Sequence, residues 1–504
     1  MTPETFIQLK KEGYTRVPVT RKILADLETP LTAYLKLANG AFSYLLESVE
    51  GGEKWGRYSI IGLPCHTVIS VRDSLVQVKK QGQITEQHVT NDPLAFIRAF
   101  QQREKVAPLP DSLRFAGGLV GYFGYDMVRH IEPQLKASVP DDDMQLPDCM
   151  LLRSEDLLVF DNLSGYIILV TYADTADIRE LACAKARLDK RVSRLVSTHV
   201  VSPASQANRP VQEKDFVSGF GQSSFERAVE SIRDYIIAGD VMQVVLSQRM
   251  SADFHHSPLD LYRTLRCSNP SPYLYYLDMG EFHVVGSSPE ILARLENNRV
   301  TVRPIAGTRK RGENAPQDVV LERELVNDPK ERAEHLMLLD LGRNDVGRVA
   351  KTGTVTLTEK MSVERYSHVM HMVSNVTGTL ISGLDAMDVL KATLPAGTLS
   401  GAPKFRAMEI IDELEPVKRG IYGGAVGYLG YNGNMDTAIA IRTAVIKQNK
   451  LYVQAGAGIV ADSSPHQEWE ETMSKGRALF QAVTMAQNGL IMGYTKGYNN
   501  AVDD

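Results

Sequence analysis

The chain is poor in the residues that build covalent or metal frameworks, and it has no charge surplus for binding polyanions. Its 504 residues include only 4 cysteines and 2 tryptophans. Cys65, Cys149, Cys183 and Cys267 lie far apart, which leaves neither a CxxC metal clip nor a disulfide framework and fits a reducing, cytoplasmic compartment. Fifty-six Lys and Arg stand against 61 Asp and Glu, a formal charge of −5, so neither nucleic acid nor an anionic membrane is expected as a partner. No apolar run approaches the roughly 18 residues of a membrane helix. The first segment, MTPETFIQLKKEG, lacks the apolar core of a secretion signal. What remains, 43% hydrophobic and 23% charged, is the balance of a soluble globular enzyme. The length suits about three domains of roughly 150 residues.

The clearest break is STHVVSPASQANRPVQEK, residues 197–214, polar and without apolar periodicity, which reads as a linker. It divides an amino-terminal region, 1–196, from a second region, 215–490, with 491–504 as a tail. Leu157–Tyr172 reads as a hairpin turning at Asn162–Gly165. After the linker, Ser223 and Glu226 suit a capping box for a helix that Gly239 stops. Strands are expected at Val241–Met250, His283–Ser287, Thr437–Ile446 and Leu451–Gln454.

Residues 117–125, GGLVGYFGY, and 423–431, GGAVGYLGY, agree at all but two positions. They are either two unrelated Gly/Tyr-rich strands or equivalent strands of a duplicated structure. Many strands with interspersed helices, and no βαβ rhythm, indicate an α+β fold of large antiparallel sheets packed as a sandwich. Helices cover the outside, and the two halves interleave.

Two phosphate-loop lookalikes fail on context. Gly456–Ala461 fits GxGxxA, but Asp462-Ser463-Ser464-Pro465 follows where a helix should open. GTLSGAPK, 397–404, has the wrong spacing for a nucleotide loop. Such backbones still suit a carboxylate, because glycine lets successive N–H groups converge on an anion.

Carboxylates sit on two expected helices. Asp328-Pro329 opens the first, with Glu331 completing a capping box, and the pattern runs to Gly342. There Glu331, Glu334, His335 and Leu338 share a face, and Glu334 adjoins the apolar run Leu336–Leu339. The second helix follows Pro465 and aligns Glu468, Glu471 and Lys475. Glu471 and Lys475 suit a solvated ion pair; alternatively, Glu334 and Glu471 meet across the fold around a hard cation such as Mg²⁺. Alternation in a strand puts Ala438, Ala440, Arg442 and Ala444 on one face, so that Arg442 either grips a small carboxylate or pairs with a structural acid.

PIAGTRKRG (304–312), AEHLMLLDLGRND (333–345), HVMHMVSNVTG (368–378), GTLSGAPK (397–404), YGGAVGYLGY (422–431), AIRTAV (440–445), QAGAGIVADS (454–463) and EWEETMSKGRAL (468–479) together resemble the chorismate-utilising enzymes. Within that family they are most similar to the anthranilate synthase component I branch. Leu45–Ser48 and Asn269–Tyr273 extend the likeness to the amino-terminal half. The resemblance implies a Mg²⁺-dependent lyase that converts chorismate and ammonia to anthranilate and pyruvate for tryptophan synthesis. It implies Glu334 and Glu471 as Mg²⁺ ligands, with Glu331 and Glu468 nearby. Gly307, Thr308, Tyr422, Arg442, the Gly456-Ala457-Gly458 amides and Lys475 would bind substrate. Glu290 would protonate the departing C4 hydroxyl, His371 would handle the C2 proton, and Thr398 would position the substrate. Such an acid needs a pKa raised by burial. Ser48, Pro270, Ser271 and Pro272 would form a tryptophan feedback site, with Glu47-Ser48 suited to an ammonium group.

Two positions discriminate among relatives. Gln243 stands where water-adding relatives carry a Lys base, and Ala306 where aminodeoxychorismate synthases often carry a nucleophilic Lys. None of the four cysteines lies in a turn resembling a glutaminase nucleophile. The expected partner is therefore a separate glutamine amidotransferase subunit, component II, in a heterodimer or heterotetramer. The remaining readings are an aminodeoxychorismate synthase component I and a non-catalytic small-molecule sensor.

Overall fold

Short apolar runs closed by Gly-, Asn- and Asp-containing turns form the strands of this protein, seen in a computed structural model that describes residues 1–48, 56–109, 113–197, 211–366 and 369–487. The amino-terminal half contributes β1 (Arg16–Leu24), β2 (Ser43–Glu47), β3 (Tyr58–Gly62), β4 (Thr67–Arg72), β5 (Leu75–Lys80), β6 (Gln83–Val89), β7 (Gly118–Phe123), β8 (Cys149–Ser154), β9 (Leu157–Asp161) and β10 (Tyr166–Asp174). The carboxy-terminal half adds β11 (Val217–Ser218), β12 (Gln243–Asp253), β13 (Tyr273–Asp278), β14 (Phe282–Ser288), β15 (Ile291–Glu296), β16 (Arg299–Val302) and β17 (Ile305–Lys310). It continues with β18 (Thr356–Arg365), β19 (Val369–Thr379), β20 (Gly401–Ala402), β21 (Ala425–Gly430), β22 (Met435–Ile439), β23 (Thr443–Lys447) and β24 (Lys450–Ile459). The helices are α1 (Pro3–Lys11), α2 (Pro30–Leu37), α3 (Pro93–Gln102), α4 (Arg179–Ser197), α5 (Gln222–Ala238) and α6 (Pro258–Ser268). They continue as α7 (Ala315–Asn327), α8 (Pro329–Gly347), α9 (Ala386–Thr393), α10 (Lys404–Leu414) and α11 (Pro465–Gln487).

The strands make two 12-stranded sheets. One runs β1-β10-β9-β3-β2-β13-β14-β23-β24-β12-β11, with β20 beside β12. The other runs β17-β19-β16-β15-β22-β21-β7-β8-β4-β5-β6, with β18 beside β19. Every pairing between these strands is antiparallel. Tyr44, Val120, Tyr122, Leu152, Val159, Tyr275, Val284 and Val426 come from both sheets and fill the space between them. The outer faces are covered by helices, through Leu37, Leu181, Tyr262, Leu265 and Phe480 on one side and Leu94, Ile97, Leu339, Val346 and Leu390 on the other. The architecture is the expected α+β sandwich. The two halves share both sheets rather than forming separate beads.

Each sheet has one seam between the halves: β2 pairs β13, and β7 pairs β21. The second seam joins the two echoed segments to each other, with Gly121 opposite Gly427 and Val120 opposite Tyr428. Outward from the seams, β2-β3-β9-β10-β1 mirrors β13-β14-β23-β24-β12, and β7-β8-β4-β5-β6 mirrors β21-β22-β15-β16-β19. The counterparts follow one another in the same chain order, as do α2 and α6, α3 and α9, and α4 and α11. The echo thus marks a duplication of the whole topology. Glycine is required at its centre, since a Cβ on Gly427 would lie 2.1 Å from the Asp436 carbonyl oxygen.

Several local expectations change. The hairpin at Asn162–Gly165 forms, but α5 begins at Gln222 after Gly221, with no side-chain cap from Ser223. The helix expected to stop at Gly342 continues to Gly347; Asp328 caps it, while Glu331 pairs with Arg309 at 3.0 Å instead of closing a capping box. Most of the expected linker, 198–210, and the tail 491–504 lie outside the described residues.

Candidate active site

Arg442 does not sit on an alanine face. The strand expected over Thr437–Ile446 breaks into β22 and β23, with Arg442 between them in the left-handed region at φ 49°. Ala438 and Ala440 turn into the core between the sheets, and Ala444 into the core beneath the helices. The break is held by the Ser287 N–H donating to the Arg442 carbonyl at 3.1 Å. No carboxylate pairs with Arg442 among the described residues, and burial pulls its guanidinium pKa down. A desolvated cation with no acid partner is a ready site for a ligand carboxylate.

Glu290 lies in the turn between β14 and β15, only 7% exposed. Burial pushes its pKa up to about 8, against the opposing pull of Thr398, the Ile305 amide, Arg442 and Lys475. This carboxyl is therefore protonated at neutral pH, as a general acid requires. Thr398 Oγ1 is buried, and Thr398 and Glu290 line one cavity with Arg303, Asp345 and Ile439.

Across the pairing of β17 with β19, Gly307 forms a bulge at φ 66°. A Cβ there would press within 2.9 Å of both Glu331 Oε2 and Leu325 Cδ1. The bulge places the Gly307 carbonyl 3.0 Å, and Thr308 Oγ1 3.1 Å, from His371 Nδ1. Burial lowers the His371 pKa, so the imidazole is neutral. With Nδ1–H donated to Gly307, the tautomer this network favours, Nε2 is left as an acceptor. His335 is a packing residue, fully buried with Nε2 2.7 Å from Ser374 Oγ.

The glycine run lies inside β24, which extends five residues past the expected end at Gln454. Beyond Val453 the strand is paired only with β12, so its other edge is open. Lys475 Nζ donates to the Gly456 carbonyl at 2.9 Å on that open edge. A strand residue points its N–H and C=O the same way, so the Gly456 and Gly458 amides are available there. Ala457 turns its amide to β12 and packs its methyl in the core. Side chains at the two glycines are excluded, because Cβ atoms would meet Tyr422 Oη at 2.8 Å and Gln243 Nε2 at 2.5 Å. Gln243 Oε1, buried and without a hydrogen-bond partner among the described residues, lies beside this edge.

The acids gather at the ends of α8 and α11. Glu334 and its neighbour Leu336 open to solvent, so Glu334 is not buried against an apolar run as expected. Surrounding protein first, then Glu331 and Glu471, hold the Glu334 carboxyl above its ordinary value. Glu468 is raised similarly by burial and Glu471. Glu471 itself pairs with Lys475 at 2.8 Å. Among the described residues no three His, Cys, Asp or Glu side chains form a complete metal cage. Mutually repelling carboxylates on two helices, short of a cage, fit Mg²⁺, which takes one or two carboxylates and keeps open positions for water and substrate.

A separate cavity lies at the junction of the halves, lined by Leu46, Ser48, Tyr58, Phe115, Pro272 and Tyr428 among others. Ser48 Oγ is buried there with no hydrogen-bond partner among the described residues. Pro270 and Ser271 do not line it. The Glu47 carboxylate, expected to suit an ammonium group, is already bound by Tyr262 and by Arg266 at 3.0 Å.

The profile of chorismate binding enzymes matches residues 49–481. Anthranilate synthase component 1 of Pseudomonas aeruginosa is 57% identical over 97% of this chain and 100% of its own length. The chain belongs to the anthranilate synthase component I family of chorismate-binding enzymes. Another member, from Neisseria meningitidis serogroup B, is 55% identical over 95% of this chain and 97% of its own. The crystal structure of anthranilate synthase component I from Streptococcus pneumoniae superposes with a TM-score of 0.75 at 38% identity, covering 91% of this chain and 99% of that one. The menaquinone-specific isochorismate synthase of Escherichia coli shares the fold, at TM-score 0.68 and 18% identity, covering 96% of this chain and 98% of that one. The position of Gln243 against Gly458 and the bulge at Gly307 are the features whose geometry the sequence alone did not disclose.

Proposed function

We propose that this chain aminates chorismate with ammonia and releases anthranilate and pyruvate, as the aminase subunit of an anthranilate synthase. The observation that carries this reading is Glu290, an acid kept protonated near neutrality beside an arginine that pairs with no acid among the described residues. Arg442, Tyr422 and the Gly456 and Gly458 amides hold the substrate's carboxylates. Glu290 gives its proton to the C4 hydroxyl as ammonia bonds at C2, so water leaves. His371 then accepts the C2 proton, pyruvate departs and the ring becomes aromatic. Glu334 and Glu471 would hold Mg²⁺, which when bound neutralises a substrate carboxylate. Gln243 is a neutral amide that cannot activate water, and Ala306 offers no nucleophile, so direct attack by ammonia is favoured over hydration or a lysine adduct.

Ammonia comes from a separate glutaminase subunit, and tryptophan inhibits by filling the cavity at the seam between Ser48 and Pro272. The test mixes the purified chain with chorismate, ammonium and Mg²⁺ at mildly alkaline pH and follows anthranilate fluorescence. Fluorescence is expected to grow and to stop in chelator. Full activity in chelator would overturn the Glu334/Glu471 metal site, and no fluorescence under any condition would overturn the amination.

A further inference from the structure

Along its outer edge β12 pairs with β20 at Gln243 and Val244 and with β11 at Met250 and Ser251, and has no strand partner in between. In that gap the Val245 carbonyl and the Ser247 N–H are taken up by a buried ion pair. Arg419 and Glu415, with side chains 1% and 3% exposed, meet at 2.6 Å. Glu415 Oε1 accepts from the Ser247 N–H and hydroxyl, both at 2.8 Å. Arg419 donates to the Val245 carbonyl at 2.7 Å and to the Leu399 carbonyl at 2.6 Å, and its guanidinium lies 5.6 Å from the centre of the Tyr422 ring. Ser247 and Val245 stand directly across from Gly456 and Gly458. One planar cation thus ties together the strand beneath the glycine edge, the face of Tyr422 and the residue after Thr398. Thr398 itself acts on the Glu290 carboxyl, whose pKa it pulls down, so its placement follows that of this backbone.

We propose that Arg419 is a positioning residue for the amination: its forked bonds to the Leu399 and Val245 carbonyls fix Thr398 against Glu290. This rests on the reading of Glu290 and Thr398 given above. A lysine keeps the charge opposite Glu415 but cannot reach both carbonyls from one planar group. Misplacement of this kind, remote from the chemistry, lowers turnover by about 10²-fold.

The test is a double-mutant cycle of Arg419→Lys with Thr398→Val, reading kcat and chorismate KM with ammonium as nitrogen donor. Arg419→Lys is expected to lower kcat by about 10²-fold while KM changes little. Added to Thr398→Val, it should cause less than about twofold further loss, because the residue it acts through is already gone. Additive losses, or an unchanged kcat in Arg419→Lys, overturn the proposal. An unchanged kcat in Thr398→Val instead overturns the reading of Thr398 and the proposal with it. If Arg419→Lys does not fold, Arg419→Met with Glu415→Met takes its place in the cycle with the same expected outcomes, since replacing both partners leaves no buried charge alone.

Discussion

Burial acts in opposite directions on the two proton-carrying side chains of the cleft, raising Glu290 to about 8 and lowering His371. Both are thereby neutral near pH 7, one able to give a proton and the other to take one. The effect on Glu290 can be measured apart from catalysis. Its ordinary value is 4.5, so as pH rises from there to about 8 the folded chain holds a proton that the unfolded chain has released. Stability declines across that window, and the loss is complete above it. Glu290→Gln, which never ionises, should raise Tm relative to the unsubstituted chain by more at about pH 9 than at about pH 5. Equal differences at the two pH values would contradict a buried acid. The identity of Glu290 was legible only through the family motif, since a lone Glu after Ser-Pro carries no signal of its burial. Glu47 shows the opposite failure: its place beside Ser48 is plain in the sequence, but its ion pair with Arg266 depends on a residue of the other half.

Among the elements, strand alternation carried the reading well where a strand continues and failed where one stops. Thr437–Ile446 alternates without a break in the sequence, yet the chain turns at Arg442 because the sandwich requires β22 and β23 in different sheets. Nothing local marks that turn, whereas the Asn162–Gly165 turn is marked by its own residues. The echoed strands were visible as sequence, but their mutual pairing is a tertiary fact. Their close approach gives a prediction. Gly427→Ala places a methyl against the Asp436 carbonyl and should destabilise the protein by about 1–3 kcal/mol, read as a lower midpoint in urea unfolding. An unchanged midpoint would contradict the seam as described.

For the whole molecule, the duplication separates scaffold from chemistry. Between β16 and β19 the carboxy-terminal half inserts β17, α7, α8 and β18, and after α9 it inserts the 397–414 segment with β20 and α10; none has a counterpart in the other half. Gly307, Thr308, Glu331, Glu334 and Thr398 all lie on these additions. The turn between β8 and β9, which corresponds to that of Arg442, instead carries two acids already held in ion pairs, Glu155 by Arg153 at 2.8 Å and Asp156 by Arg191 at 2.7 Å. On the proposed function one half would carry the reaction, and the seam between the halves would be where an effector contacts both. Ser48→Phe should fill that cavity and abolish tryptophan inhibition while leaving ammonium-dependent turnover intact, read by anthranilate fluorescence with and without tryptophan. Inhibition unchanged by this substitution would place the effector elsewhere.

The central claim is amination at C2 followed by loss of pyruvate, and product analysis tests it most directly. The purified chain, given chorismate and Mg²⁺ with either ammonium or glutamine, is analysed for anthranilate and pyruvate. Equal amounts of the two from ammonium, and neither from glutamine, are the predicted result. Isochorismate, or an aminated product that retains its pyruvyl group, would contradict it.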